Sequence, residues 1–235
     1  MSDKAIWHDL ECGAYSADLG LWRELAAHAH PAPVLEIGAG TGRVALDLAG
    51  HGHRVIALER DGDLAAELRR RARGLAVEVL EADACAFELS EAVALCVVPM
   101  QTVQLLDDRA AFFRSARRAL RPGGVLALAI LPGELGTFEV ELEPDVLERA
   151  GVRYLSSPTA LRKTPTAVVL ERARRITGTR EVPPTLDVIE LALLTPASLA
   201  DEAASAGFTE LGTRTIAPTD AHVGSDVVVL CAATR

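Results

Sequence analysis

The feature that most constrains this chain is an alternation. Short, continuous apolar runs are separated by stretches with helical spacing across its first two thirds. Val34–Ile37 is one such run, and Gly42–Ala49 then spaces Val44, Leu46 and Leu48 as a helix does. Arg54–Leu58 is a second run, followed by Asp63–Arg73 with Leu64 and Leu68 on one helical face. Val77–Leu80 and Val93–Val98 read as strands, Arg109–Leu120 as a helix, and Val125–Leu131 as a strand after the turn Arg121-Pro-Gly-Gly. Strands that are apolar throughout must be covered on both faces, which a parallel sheet with helices on each side achieves. Ahead of this frame, Ser16–His30 reads as an amphipathic helix carrying Leu19, Trp22, Leu25 and Ala26.

The texture changes after Leu131. Pro132–Pro196 has almost no helical period, and Ala167–Thr177 and Thr185–Leu194 read as long strands joined through T-G-T-R-E-V-P-P. Those turn residues predict an antiparallel hairpin inserted into the α/β frame. Pro196–Ala206 then reads as a helix, and Phe208–Ile216 and Asp226–Cys231 as closing strands. The expectation is a single domain over 1–235, with 1–32 as a helical cap and 132–196 as a β-rich insertion serving the acceptor side or a dimer surface.

Composition narrows the partners. A hydrophobic share of 49% belongs to a folded chain, and a net charge of −9 argues against nucleic acid or an anionic membrane as the main partner. Cys12, Cys85, Cys96 and Cys231 are scattered without a C-x-x-C pair, and the histidines have no metal-site spacing. The amino terminus lacks a basic head before an apolar core, and no apolar run approaches the ~20 residues that span a bilayer. A cytoplasmic protein, with no metal and no membrane partner, is the expectation.

Within the frame, Val34 to Arg43 reads V-L-E-I-G-A-G-T-G-R, with glycine at every second position from Gly38 to Gly42. A glycine loop after a strand and before a helix suits a nucleotide-type ligand, because glycine lets a ligand approach the main chain and helix-start N–H groups face it. A dinucleotide fingerprint needs G-x-G-x-x-G, and here the third glycine comes one residue early. Glu36 would also crowd a pyrophosphate, whereas it suits a ligand with positive charge.

The stretch resembles the first motif of class I S-adenosylmethionine-dependent methyltransferases, in which Glu36, Gly38, Ala39, Gly40 and Gly42 would form the cofactor loop. Ala57-Leu-Glu59-Arg60 is similar to the family's second acidic position, which implies that Glu59 holds the ribose hydroxyls and that Arg60 covers the adenine. Glu81-Ala-Asp83-Ala84 resembles the element where an Asp takes the adenine amino group and the next backbone N–H meets the ring. Cys96-Val-Val98-Pro99-Met-Gln101 resembles the fourth-strand motif beside the methionine end, and L-R-P-G-G-V-L resembles the turn before strand five. The resemblance implies a Rossmann-like, doubly wound, seven-stranded and mostly parallel sheet with an antiparallel strand near the edge. It also implies S-adenosyl-L-methionine as cofactor.

Methyl transfer is an in-line displacement at an activated carbon, so the protein mainly positions two reactants and excludes water. A general base is needed only when the acceptor arrives protonated. There is no N-P-P-Y or D-P-P-Y, no Pro-Cys pair after the fourth strand, and no acid in Val98–Gln104 for a catechol-type magnesium site. With the acidic charge, these absences point to a small-molecule acceptor. Trp7, His8, Glu11 and Tyr15 are candidates for acceptor contacts, and so is the loop Thr219–Ser225 with His222. Tyr15 and His222 are each candidate catalytic residues. A homodimer is one assembly this reading allows. The alternatives are a non-catalytic binder of S-adenosylmethionine and a nicotinamide-dependent oxidoreductase.

Overall fold

A computed structural model of the chain describes residues 1–132, 143–219 and 222–234. In chain order come α1 (Asp3–His8), a π-turn (Asp9–Gly13), α2 (Leu19–Ala29), β1 (Val34–Ile37), α3 (Arg43–Gly50) and β2 (Val55–Glu59). Next are α4 (Gly62–Arg71), β3 (Val77–Glu81), β4 (Val93–Val98), a 3-10 turn (Thr102–Leu105), α5 (Arg109–Ala119) and β5 (Leu120–Ile130). Then follow β6 (Asp145–Arg149), β7 (Val152–Lys163), β8 (Ala167–Gly178), β9 (Val182–Ala192), α6 (Pro196–Ala204), β10 (Phe208–Ile216) and β11 (Ser225–Ala232). These elements form two compact units. The larger is Tyr15–Pro132 with Leu194–Arg235, and the smaller is Met1–Ala14 with Gly133–Leu193.

The larger unit holds a seven-stranded sheet in the order β10-β11-β5-β4-β1-β2-β3. β1 to β5 run parallel, and β11 lies antiparallel between β5 and β10. Every residue of β1, β2 and β4 is buried, the consequence of helices covering both faces. Side chains set the helix starts: Asp61 accepts from the N–H groups of Asp63 and Leu64, and Asp108 from that of Ala111. Thr195 and Ser198 form a capping box with Pro196 in the first turn of α6. Strand order reverses between β1 and β4, so the crevice at their carboxyl ends is where such a sheet takes a ligand.

The turn expected at Arg121-Pro-Gly-Gly lies inside a longer strand. Leu120 already pairs with Val93, and Val125 pairs with Leu95, so Arg121–Gly124 is an excursion from a ladder that resumes beyond it.

The smaller unit contains an antiparallel sheet in the order β6-β7-β8-β9. The expected hairpin, β8 and β9, is therefore half of a larger layer. β6 and β7 escaped notice because Ser156-Ser-Pro158 breaks their apolar alternation, and the ladder to β8 slips between Pro158 and Ala160. Pro183 and Pro184 fall on β9 where its register with β8 slips, between the pairs Val182–Ile176 and Thr185–Arg174, so neither has a position in the ladder to fill. Residues 133–142 of the expected insertion lie outside the described residues.

The first residues pack within this unit. The Trp7 ring meets Tyr154 edge-on at 5.2 Å, and the Tyr154 hydroxyl donates to Asp3 at 2.8 Å. Glu11 accepts a forked pair of bonds from Arg174, at 2.8 and 2.6 Å, and a third from Ser156 at 2.8 Å. Arg174 also reaches Asp187 at 2.8 Å and lies over the Trp7 ring. Arg174 therefore does not sit on a solvated outer edge: its side chain is only 21% exposed. Trp7 and Glu11, candidate acceptor contacts in the sequence, spend their polar and aromatic faces on Arg174, Ser156 and Tyr154.

Candidate functional site

β1 delivers Glu36 and then the loop Gly38–Gly42 to the carboxyl end of the sheet. Gly38 has φ +69° and Gly42 φ +103°, which L side chains rarely adopt. The sequence reading assigns these glycines to a ligand's close approach, and here the structure differs. A Cβ at Gly38 would lie 2.5 Å from Thr102 Cγ2, and one at Gly42 would lie 2.3 Å from Leu68 Cδ1. Protein side chains occupy both spaces, so these two glycines serve the turn and the packing beneath it.

The loop's backbone donors are also committed. Gly38 and Ala39 both donate to the Leu58 carbonyl, at 2.9 and 3.0 Å, and Gly42 donates to that of Ala39 at 2.9 Å. Gly40 donates to Glu59 Oε2 at 2.8 Å. At the start of α3, the Ala45 N–H bonds Glu36. Of the helix-start N–H groups expected to face a ligand, that of Ala45 is taken by Glu36 and that of Leu46 by the Gly42 carbonyl. A cradle for phosphate needs such donors unspent, and this one has given four loop donors to protein oxygens.

What the loop does present is carboxylate. Glu59, at the end of β2, is buried and held from both sides, by Gly40 N–H on Oε2 and by Asp61 N–H on Oε1 at 2.8 Å. Each oxygen keeps a lone pair for a further donor. Glu36 is 2% exposed, and its Oε2 has no hydrogen-bond partner. Burial pushes its carboxyl up to about 8; Asp18 and Glu59 add to the rise, and Arg43 with the Ala45 N–H opposes it. A buried acid with an orphan oxygen beside the loop suits a cationic or donor-bearing ligand.

The other expected positions are distributed along the same rim. Arg60 and Asp83 are exposed, and Asp83 Oδ1 accepts from the Cys85 N–H at 2.7 Å, while Ala84 is buried. Val98 and Pro99 are buried at the end of β4. Met100 and Thr102, to which the sequence reading assigns no role, shape the rim beyond Pro99. Met100 has φ +52°, a strained value for a long side chain, and Thr102 donates to the Pro99 carbonyl at 3.0 Å while filling the space under Gly38. Nothing in the residue types at 100 and 102 signals this; it comes from two loops meeting.

Tyr15 and His222, remote in sequence, are brought together. Their rings stack at 4.0 Å with an interplanar angle of 17°. The Tyr15 hydroxyl is buried without a partner, and burial pushes its pKa to about 12, with Asp18 raising and Arg43 lowering it. Tyr15 is thus a neutral phenol at physiological pH. The Gly224 N–H donates to His222 Nδ1 at 3.2 Å, which places the proton of a neutral ring on Nε2 and makes that nitrogen a donor. Asp220 and Ala221 of this loop lie outside the described residues. A cavity of about 320 Å³ is lined in part by Ala17, Leu21, Glu24, Arg214 and Thr219, and neither Tyr15 nor His222 is among its walls. Among the described residues no cluster of His, Cys, Asp or Glu is placed to hold a metal, and no helix is long and apolar enough to cross a membrane.

Residues 34–124 match the family described as a methyltransferase domain. A probable S-adenosylmethionine-dependent methyltransferase of Mycobacterium tuberculosis is 33% identical over 109 residues, 46% of this chain and 39% of that protein. The ribosomal RNA small subunit methyltransferase A of Koribacter versatilis is 45% identical over 74 residues, 31% of this chain and 26% of that one. The chain thus spans well under half the length of these curated relatives. Among solved structures, the sugar N-methyltransferase KedS8 of a Streptoalloteichus species superposes with a TM-score of 0.81 at 18% identity, over 100% of this chain and 94% of that one. CalS10, an amino pentose methyltransferase of Micromonospora echinaspora solved with S-adenosylmethionine bound, gives 0.74 at 18% identity, over 99% and 97%. At such identities the likeness is one of fold.

Proposed function

We propose, from the premise that this chain carries a class I S-adenosylmethionine-dependent methyltransferase domain, that it transfers a methyl group from that cofactor to a small-molecule acceptor. The observation that carries the reading is the loop's chemistry: the N–H groups of Gly38, Ala39, Gly40 and Gly42 are spent on protein acceptors, and two buried carboxyl groups, Glu36 and Glu59, stand beside it. Carboxyl groups with few free donors around them give a pyrophosphate little to bind and suit a ligand bearing ammonium, sulfonium and hydroxyl groups, which weighs against the nicotinamide alternative.

Glu59 would accept from the ribose hydroxyls, Glu36 would face the positive charge, and Gly38, Ala39, Gly40 and Gly42 would shape the seat. Arg60, Asp83 and Ala84 would lie at the adenine end, and Val98 and Pro99 at the methionine end. When bound, the cofactor supplies an electrophilic methyl group. The chain's own task is then to orient the acceptor and exclude water. Tyr15 and His222 are assigned to the acceptor side, where a neutral phenol and an Nε2–H donor orient an acceptor rather than deprotonate it. The β-rich insertion is assigned to acceptor recognition or to dimer formation, within one functional domain in the cytoplasm.

The aligned stretch of the ribosomal RNA enzyme reaches less than a third of this chain, and the net charge of −9 opposes an RNA acceptor. Structures of the same fold come from enzymes named for sugar and amino pentose acceptors, so an acceptor screen begins with amino sugars. Calorimetry with S-adenosylmethionine, S-adenosylhomocysteine and NAD tests the ligand. Binding of NAD without either sulfur compound overturns the proposal. Glu59→Ala should weaken S-adenosylmethionine binding by about 1–3 kcal/mol, the range for a lost hydrogen bond to a charged group, and unchanged affinity removes Glu59 from the ribose role.

A further inference from the structure

Arg43 follows the glycine loop directly, as the first residue of α3. Its guanidinium forks onto Asp18, Nη1 to Oδ1 at 2.5 Å and Nη2 to Oδ2 at 2.7 Å. Nη1 also donates to the Tyr15 carbonyl at 3.0 Å, and the guanidinium carbon lies 5.1 Å from the centre of the Tyr15 ring. Asp18 is itself anchored, because the fully buried Trp22 donates its indole N–H to Oδ2 at 2.8 Å. The side chains of Arg43 and Asp18 are 10% and 1% exposed. Tyr15, so held by its backbone and its ring face, stacks on His222.

We infer that Arg43 is a positioning residue that ties the cofactor loop to the acceptor side, setting Tyr15 against His222 through its grip on Asp18 and the Tyr15 carbonyl. The physical reason lies in the fork. A bidentate guanidinium–carboxylate pair fixes orientation as well as distance, and its burial removes the water that would let it slip. The pair joins three segments that are far apart in the chain: the end of the glycine loop, the entry to α2, and, through the stacked rings, the loop between β10 and β11. A ligand that settles the glycine loop therefore also settles Tyr15 and His222. The inference rests on the proposed methyltransferase reading only for the identity of that ligand.

The test follows the His222 ring protons by NMR on histidine-labelled protein, because a ring stacked at 4.0 Å feels the ring current of Tyr15. In the unliganded wild type these resonances should be displaced from the free-histidine position. Tyr15→Leu should abolish the displacement, and Arg43→Gln should remove most of it with the circular dichroism spectrum unchanged. S-adenosylmethionine should move the His222 resonances of the wild type and leave those of saturated Arg43→Gln unmoved. If Arg43→Gln does not fold, Arg43→Lys reads the same resonance: it keeps the charge but cannot fork onto both Asp18 oxygens. Wild-type His222 positions in whichever variant folds, or an undiminished response to S-adenosylmethionine, overturn the inference. Failure of S-adenosylmethionine to bind the wild type sinks the methyltransferase reading instead, while the unliganded comparison still decides the role of Arg43.

Discussion

Replacing Glu36 by Gln should change how stability depends on pH. The ordinary value of 4.5 applies to the unfolded chain, whereas burial beside Asp18 and Glu59 pushes the folded value to about 8. Between those limits the folded state holds a proton that the unfolded state has released, so wild-type stability falls as pH rises through the window. Each unit corresponds to about 1.4 kcal/mol, so the loss accumulates to about 3 kcal/mol near neutrality and about 5 kcal/mol once Glu36 is fully ionised. Gln has nearly the same shape and stays neutral. The variant should therefore match the wild type below pH 4.5 and gain on it steadily up to about pH 8. Urea unfolding across this range measures the difference. Trp22, buried in the larger unit, reports the transition when both proteins carry Trp7→Phe. Parallel stability curves for the two proteins would show that Glu36 is ionised in the folded state and would refute the argument. A cationic ligand stabilises the charged form, so S-adenosylmethionine should bind the wild type more tightly relative to the variant as pH rises.

Gly38→Ala should cost about 1–2 kcal/mol for the left-handed backbone and about 1–3 kcal/mol for the contact with Thr102; adding Thr102→Ala should recover only the second part in urea unfolding. Arg174→Ala leaves the mostly buried Glu11 without its forked partner and should destabilise the smaller unit by about 3 kcal/mol, read as a lower unfolding midpoint; an unchanged midpoint would return Arg174 to the solvated surface.

Legibility differed between the two parts of the chain. The larger unit was readable because its central strands are buried throughout and apolar but for Glu36 and Glu59, and each helix carries one apolar stripe, so local pattern and final burial agree. Glu36, Glu59 and the three glycines could likewise be picked out, since their spacing along one strand–loop–helix unit is fixed by the backbone. The smaller unit was half read. β8 and β9 show their strands plainly, but β6 and β7 hold together through cross-strand partners that come from other strands and from the first residues of the chain.

The sequence by itself determined the larger sheet and the placing of the glycine loop with Glu36 and Glu59 beside it, because these depend on residues close together in the chain. Tertiary structure alone decided what fills the space at Gly38 and Gly42, which donors the loop has left, and why Arg174 turns inward. It alone also brought Tyr15 against His222 under the hand of Arg43. Those outcomes follow from long-range contacts and from desolvation, and a carboxylate's burial or a guanidinium's fork has no signature until the segments meet.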